Sequence, residues 1–269
     1  MTELPEVETV RRVLLNDLIG LKIEDVIIKY DRIIDCDKSY FISNIKNKTF
    51  TDIKRRGKYL IFCLNEGYLI SHLRMEGKYF YLNKELDNKH IHVIFNLSNG
   101  YKLMYQDTRK FGRMIYLNGD IYNKEPLNKL GYDPILDGMY DLDLIYKKII
   151  SKKIEIKTVL LNQEIITGLG NIYVDEVLFS SHINPLRLAN SLNKEEVKAI
   201  LDSSIKILND AIINKGTTIR SYTSSLGVEG NYQNFLNVHT KSECPHCKMN
   251  IIRVKIKGRM TYYCKNCQR

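Results

Sequence analysis

The sequence predicts a multidomain α+β protein: an N-terminal helix joined to an antiparallel β-sandwich, then a helical region, then a small finger held by cysteines. Three observations predict it. Apolar residues recur at helical spacing just after Pro5, and short β-branched and aromatic runs fill the next hundred residues or so. After a stretch of three-four periodicity, two Cys-x2-Cys pairs close the chain.

The first helix is predicted from Pro5 to Gly20. Val7, Val10, Leu14 and Leu18 share one face with Val13 beside them, proline sits in the first turn and glycine follows the last. From Lys22 to Leu117 the segments IEDVIIKYD, KTFTDIKRRGKYLIFCL, YLISHLRM, GKYFYL, HIHVIFNL and YKLMYQ read as strands, with turn signals such as NEG and SNG between some of them. Many short strands with no helix between them predict a sandwich or barrel. The polar, turn-rich segment LNGDIYNKEPLNKLGYDPILDG marks a domain junction, so domains are expected over 1–131, 132–235 and 236–269. Beyond it YDLDLIYKKIISKK, KTVLLNQE, GNIYVDEVLFSSH and NKEEVKAILDSSIKILNDAIINKG read as helices, the last opened by Asn193 with Glu196 and ended by Gly216. The loop TTIRSYTSSLGVEGNYQNF has no periodicity, and loops of that length are functional or disordered.

Charge narrows the partners. The 269 residues carry 41 Lys+Arg against 31 Asp+Glu, a net charge of +10, which calls for a polyanion such as nucleic acid or an anionic membrane surface. With no uninterrupted apolar stretch of membrane-spanning length and no secretory signal, the expectation is a soluble, cytoplasmic protein without a membrane partner. The apolar content of 44% excludes disorder, and the cysteine distribution is not that of a disulfide framework. Gly168-Leu169-Gly170 is no dinucleotide fingerprint, because no third glycine and no βαβ context follow.

Cys244, Cys247, Cys264 and Cys267 have the spacing of a closed, structural four-thiolate zinc site. Between the pairs, IIRVKIKGRMTYY alternates apolar and basic residues around Lys257-Gly258, a hairpin with one cationic face. Residues 244–269 hold seven Lys/Arg and no acidic side chain, so the finger keeps a charge of about +5 once four thiolates and Zn²⁺ are counted. That charge points to a finger that contacts DNA as well as stapling the fold.

ELPEVETV at the start, RRGKYL, HLRMEGKY, KHIHV, DTRKFG, GLGNIYVDEVLF, GTTIRSY and the finger run in one order along the chain. Together they resemble the formamidopyrimidine-DNA glycosylase family of bacterial oxidised-purine glycosylases. The resemblance implies an N-terminal helix plus β-sandwich, a helix–two-turn–helix domain, a zinc finger, and double-stranded DNA between the domains. It implies a monomer that flips the damaged nucleotide out of the duplex, displaces the base with its N-terminal amine and cuts the abasic strand by β,δ-elimination through a Schiff base. Nucleoid association in the cytoplasm follows from that activity.

By the same resemblance, Glu3 protonates the sugar ring oxygen and Lys58 lies near the lesion and its phosphate. Met75, Arg109 and Phe111 fill the void left by the flipped base, with Arg109 reading the orphaned cytosine. His90, Lys157, Asn171 and Arg259 contact phosphates, and the segment from Thr217 to Tyr232 covers the flipped base. Without the resemblance, Glu3 is a helix N-terminal acid, Lys58 one surface lysine among many, and Met75 and Phe111 core residues. One departure stands out. The family's nucleophile is an N-terminal proline, and this chain has Thr2. Threonine is small enough for Met1 to be removed, and the neighbouring helix N-terminus favours a neutral amine. A primary amine gives an imine that needs a proton to act as electron sink, so weaker and more pH-dependent activity is expected. Two alternatives stay open: a weakened or non-catalytic damaged-DNA-binding homologue (or a trap engineered by replacing the proline), and an oxidised-pyrimidine glycosylase of the same fold. ELPE in place of a glycine-containing start, together with DTRKFG, argues against the latter.

Overall fold

The computed structural model describes residues 2–217 and 230–269. The chain divides into two compact units, one of Met1–Asn128 with Lys215–Gly230 and one of Lys129–Asn214 with Asn231–Arg269.

In the first unit, α1 spans Leu4–Leu18 with Pro5 in its opening turn, where a missing N–H leaves no intrahelical bond unmade. Its apolar stripe of Leu4, Val7, Val10, Leu14 and Leu18 is buried. At the edge of that stripe, the buried Glu8 carboxylate takes Arg11 and Arg12 from its own helix and Arg55 at 3.3 Å. Arg11 also reaches the Ile53 carbonyl at 3.0 Å, so the helix is pinned to the sheet by charge as well as by apolar packing.

After α1 come β1 (Ile23–Ile28), α2 (Lys38–Ile45), β2 (Phe50–Arg56), β3 (Tyr59–Leu64), β4 (Tyr68–His72), β5 (Lys78–Leu82), β6 (Ile91–Leu97), β7 (Lys102–Gln106) and β8 (Arg113–Leu117). They form two four-stranded sheets, ordered β1-β6-β7-β5 and β2-β3-β4-β8, with every pair antiparallel. A chain of tilted and edge-on rings, Phe50–Phe62–Tyr79–Tyr105, crosses from one sheet to the other with centroids 5.2–5.8 Å apart. This is the sandwich core.

Two local expectations need correcting. The strand region does contain a helix, α2, because Asp37 caps it by accepting the Tyr40 N–H at 2.7 Å and Phe41 and Ile45 bury its inner face. A further strand beyond those expected, β8, comes from the sequence FGRMIYL and closes its sheet against β4.

The second unit contains α3 (Leu142–Ile150), α4 (Ile156–Leu160), α5 (Asn171–Ser180) and α6 (Lys194–Ile213), followed by the hairpin β9 (Ile252–Ile256) and β10 (Arg259–Tyr263). Every residue of α5 from Ile172 to Phe179 is buried, and α5 packs against α6 and β10. It is the core helix of the unit. Asn193 and Glu196 form the reciprocal box expected at the start of α6. The helix ends at Ile213 rather than at Gly216, and Asn214 is its C-cap. Lys257 and Gly258 both take positive φ, +43° and +84°, the two-residue turn whose twist suits a hairpin. Among the described residues no helix is long and apolar enough to cross a membrane.

Candidate active site and DNA-contacting residues

The N-terminal end of α1 is buried rather than frayed. Thr2 is only 3% exposed, and its backbone nitrogen donates to the Arg74 carbonyl at 3.2 Å. Glu3, wholly buried, is the N-cap, and its N–H is taken by Glu6 Oε2 at 2.9 Å. The other Glu6 oxygen accepts the Thr217 N–H at 2.8 Å and its hydroxyl at 3.2 Å. Glu6 therefore ties the start of the chain to the residue that opens the expected lesion-covering segment. Gly216 is needed there: its φ is +78°, and a Cβ would fall 2.5 Å from Glu6 Oε1. Residues 218–229 of that segment lie outside the described residues.

Arg74, which holds the Thr2 nitrogen, adopts a left-handed φ of +53°. His72 supports it, its Nδ1 accepting the Arg74 N–H at 2.9 Å. Burial, reinforced by the positive charges of Arg74 and Lys58, pushes His72 down to about 3, so the ring stays neutral and Nδ1 stays an acceptor. Tyr59 meets the His72 ring edge-on at 4.5 Å and pairs with His72 in the sheet. Lys58 sits in the turn immediately before Tyr59. The structure therefore brings Thr2, Glu3 and Lys58, distant in sequence, to the same end of the β2-β3-β4-β8 sheet.

The turn carrying Met75 and the loop carrying Arg109 and Phe111 close on one point. A Cβ on Gly77 would lie 2.3 Å from the Tyr105 hydroxyl oxygen, and one on Gly112 would lie 1.7 Å from it. Only glycine allows both segments to approach that ring. Asp107, wholly buried, shapes the loop by accepting the N–H groups of Arg109 (3.0 Å), Phe111 (2.9 Å) and Gly112 (2.8 Å). At the tip, the Arg109 guanidinium lies over the Phe111 ring, 4.7 Å from its centroid, and Phe111 is 47% exposed. An aromatic ring left this open and steadied by a cation is not part of the core. His90 is joined to the same loop through its carbonyl, which accepts the Asp107 N–H at 3.0 Å.

In the second unit the Sγ atoms of Cys244, Cys247, Cys264 and Cys267 all lie within 4.8 Å of one another, with opposed pairs at 3.7 and 3.4 Å. A tetrahedral Zn–S site with bonds of about 2.3 Å has edges of about 3.8 Å, so the donor set and its spacing fit one zinc ion. Arg259 is exposed beside the hairpin turn. Lys157 is not at the surface: it is 1% exposed, and its Nζ donates to Asp175 at 2.7 Å and to the Met260 carbonyl at 3.1 Å. Asn171 Nδ2 donates to that same carbonyl at 2.9 Å. Asp175 also binds His239 Nδ1 at 2.7 Å and the Tyr262 N–H at 3.3 Å. Lys157 and Asn171 thus grip the hairpin one residue past Arg259. A cavity of about 200 Å³ lined by Lys157, Lys257 and Arg259 opens beside it.

Three family models match the chain in order. Residues 1–114 match the formamidopyrimidine-DNA glycosylase N-terminal domain, 130–223 the formamidopyrimidine-DNA glycosylase H2TH domain, and 241–269 the zinc finger found in FPG and IleRS. The chain belongs to the formamidopyrimidine-DNA glycosylase family. Formamidopyrimidine-DNA glycosylase of Mycoplasma genitalium is 42% identical over 275 residues, covering 100% of this chain and 96% of that protein. The Streptococcus pneumoniae enzyme of that name is 42% identical over 273 residues, covering 100% and 99%. Among solved structures, a Lactococcus lactis FPG variant in complex with Fapy-dG-containing DNA superposes with a TM-score of 0.93 at 38% identity over 99% of both chains. The Lactococcus lactis Fpg bound to DNA with an abasic site gives 0.92 at 39% over 99% of both. The glycosylase fold, with its N-terminal helix, antiparallel sandwich, helical H2TH region and one structural zinc, is therefore that of this chain.

Sequence reading of the glycosylase motifs passed over Glu6, His72 and Asp107. Each lies inside a quoted motif, so its place was visible. What each does depends on partners, Thr217, Arg74 and the loop N–H groups, that only the folded chain brings to it.

Proposed function

We propose that this chain is a bifunctional base-excision-repair DNA glycosylase and AP lyase acting on double-stranded DNA that contains oxidised purines, 8-oxoguanine and formamidopyrimidines. The observation that carries the reading is the buried Thr2 backbone nitrogen held 3.2 Å from the Arg74 carbonyl, next to Glu3 at the start of α1, in a chain with this family's three domains. With Met1 removed, the Thr2 amine has one hydrogen directed at Arg74 and its lone pair available for C1′. The helix N-terminus disfavours its protonation. Glu3 supplies the proton that opens the sugar, and Lys58 supplies positive charge beside the lesion phosphate.

Arg109 and Phe111 enter the stack as a preassembled pair with Met75, offsetting part of the unstacking cost. His90, Lys157, Asn171 and Arg259 serve the phosphates. For Lys157 and Asn171 that service is mainly indirect, through the Met260 carbonyl that fixes the hairpin bearing Arg259. The zinc ion folds the finger. The enzyme works as a monomer in the cytoplasm, on the nucleoid.

The test is a strand-cleavage assay on duplexes carrying one 8-oxoguanine opposite cytosine, one oxidised pyrimidine, or no lesion. Cleavage at 8-oxoguanine well above the other two is expected. Preference for the pyrimidine lesion, or binding without cleavage, would replace this reading with one of the two alternatives.

A further inference from the structure

Among the described residues, one buried polar atom at the start of α1 stands without a partner. Glu3 and Glu6 bond each other's backbone N–H groups, Glu6 also holds Thr217, and the Thr2 nitrogen is on Arg74. Thr2 Oγ1 is buried and has no hydrogen-bond partner among the described residues. A hydroxyl buried without a partner is a cost to the fold, with nothing visible in return. The same atom is vicinal to the amine, a relation that proline, with no hydroxyl, cannot offer.

We infer that Thr2 Oγ1 is a second nucleophile, which adds to the imine carbon and parks the enzyme on the abasic site as a five-membered oxazolidine. This rests on the reading above, in which the Thr2 nitrogen attacks C1′ once Met1 is gone. In the step, a lone pair of Oγ1 forms a bond to C1′, the C=N π pair moves onto nitrogen, and the proton lost by Oγ1 ends on that nitrogen. No atom enters or leaves. The ring comprises N, Cα, Cβ, Oγ1 and C1′, and opening it restores the imine.

The two nucleophilic atoms are tethered, so closure loses no translational freedom. While the ring is closed C1′ is saturated and cannot accept the electrons released at C2′. Strand cleavage therefore waits for reopening although the base has already left. The hydroxyl, without a partner among the described residues, gains one in the covalent complex.

The experiment compares the zinc-loaded full chain with Thr2→Ser, which keeps a vicinal hydroxyl, and with Thr2→Ala and Thr2→Val, which lack one. All three replacements allow Met1 removal and leave a primary amine, and valine keeps the threonine shape. Each is mixed with duplex carrying 8-oxoguanine opposite cytosine and ¹³C at C1′ of the lesion. Base release, strand cleavage and the carbon spectrum are followed, and borohydride adducts are mapped to residues. Expected for Thr2 and serine, after base release, are a C1′ that correlates across oxygen with the β-proton of residue 2 and a cleavage rate several-fold behind base release. Alanine and valine should lose that correlation and most of the lag. Adducts on residue 2 in all four proteins, with equal lags and no such correlation, would overturn the oxazolidine alone. The absence of any residue-2 adduct would overturn the amine reading beneath it, and the oxazolidine with it.

Discussion

At the scale of single residues, the buried end of α1 works because charge and hydrogen-bond direction are fixed beforehand. His72 can accept from Arg74 only while neutral. Its ordinary value of 6.5 falls to about 3 in the fold, chiefly by burial. A base with a depressed folded value binds its proton more readily when unfolded. Stability is therefore fully present above about pH 6.5 and declines as pH falls toward 3, by about 1.4 kcal/mol per pH unit. His72→Gln, which keeps an acceptor but cannot titrate, should flatten that slope in urea-melt midpoints; an unchanged slope would assign it to other groups. Arg109→Ala should lower discrimination for cytosine opposite the lesion by about 1–3 kcal/mol, with a smaller loss of affinity for undamaged duplex. Equal losses against all four opposing bases would remove the base-reading role. The Thr2 amine predicts two pH limbs: excision falls as pH drops and the amine is protonated, and strand cleavage falls as pH rises and the imine loses its proton. Thr2→Pro should abolish the second limb, since a proline-derived iminium keeps its charge at every pH.

At the scale of elements, periodicity made α1, α3, α5 and α6 legible, because each buries a face or a whole surface that the sequence spells out in apolar residues. Alternation and turn signals likewise gave most of the sandwich. The misses have physical causes. α2 is two turns long, too short for periodicity, and depends on the Asp37 cap. Lys157 could not be recognised as interior, because Asp175, which neutralises it, is eighteen residues away in sequence and meets it only in space. Asp107 shows how an element can be set by one side chain. Asp107→Asn replaces one of the acceptor oxygens serving three N–H groups with a donor, and leaving such groups unpaired costs about 1–3 kcal/mol. The expected outcome is loss of lesion excision in a protein that still folds, its melting temperature lowered by roughly 2–4 °C per kcal/mol, seen by comparing single-turnover rates with thermal melts. Loss of the whole fold would show that the loop is part of the core.

At the scale of the molecule, a net charge of +10 and a finger of about +5 make binding electrostatic at its base, steep in salt and weak in sequence preference. One zinc per chain is expected by metal analysis, and Cys264→Ser should lower both zinc content and DNA affinity; a folded, DNA-binding sample with much less than one zinc would contradict the site. The central claim is narrower than DNA binding: the first amine of the processed chain does the chemistry. Retaining Met1 would shift that amine by ~3.3–3.6 Å, far beyond catalytic tolerance. The most direct measurement is borohydride reduction on 8-oxoguanine duplex followed by peptide mass spectrometry of the adduct, run beside Met1-blocked protein. DNA attached to Thr2 in the processed chain, and none in the blocked one, is the expected result. An adduct on Lys58, or equal trapping of the blocked protein, would contradict it.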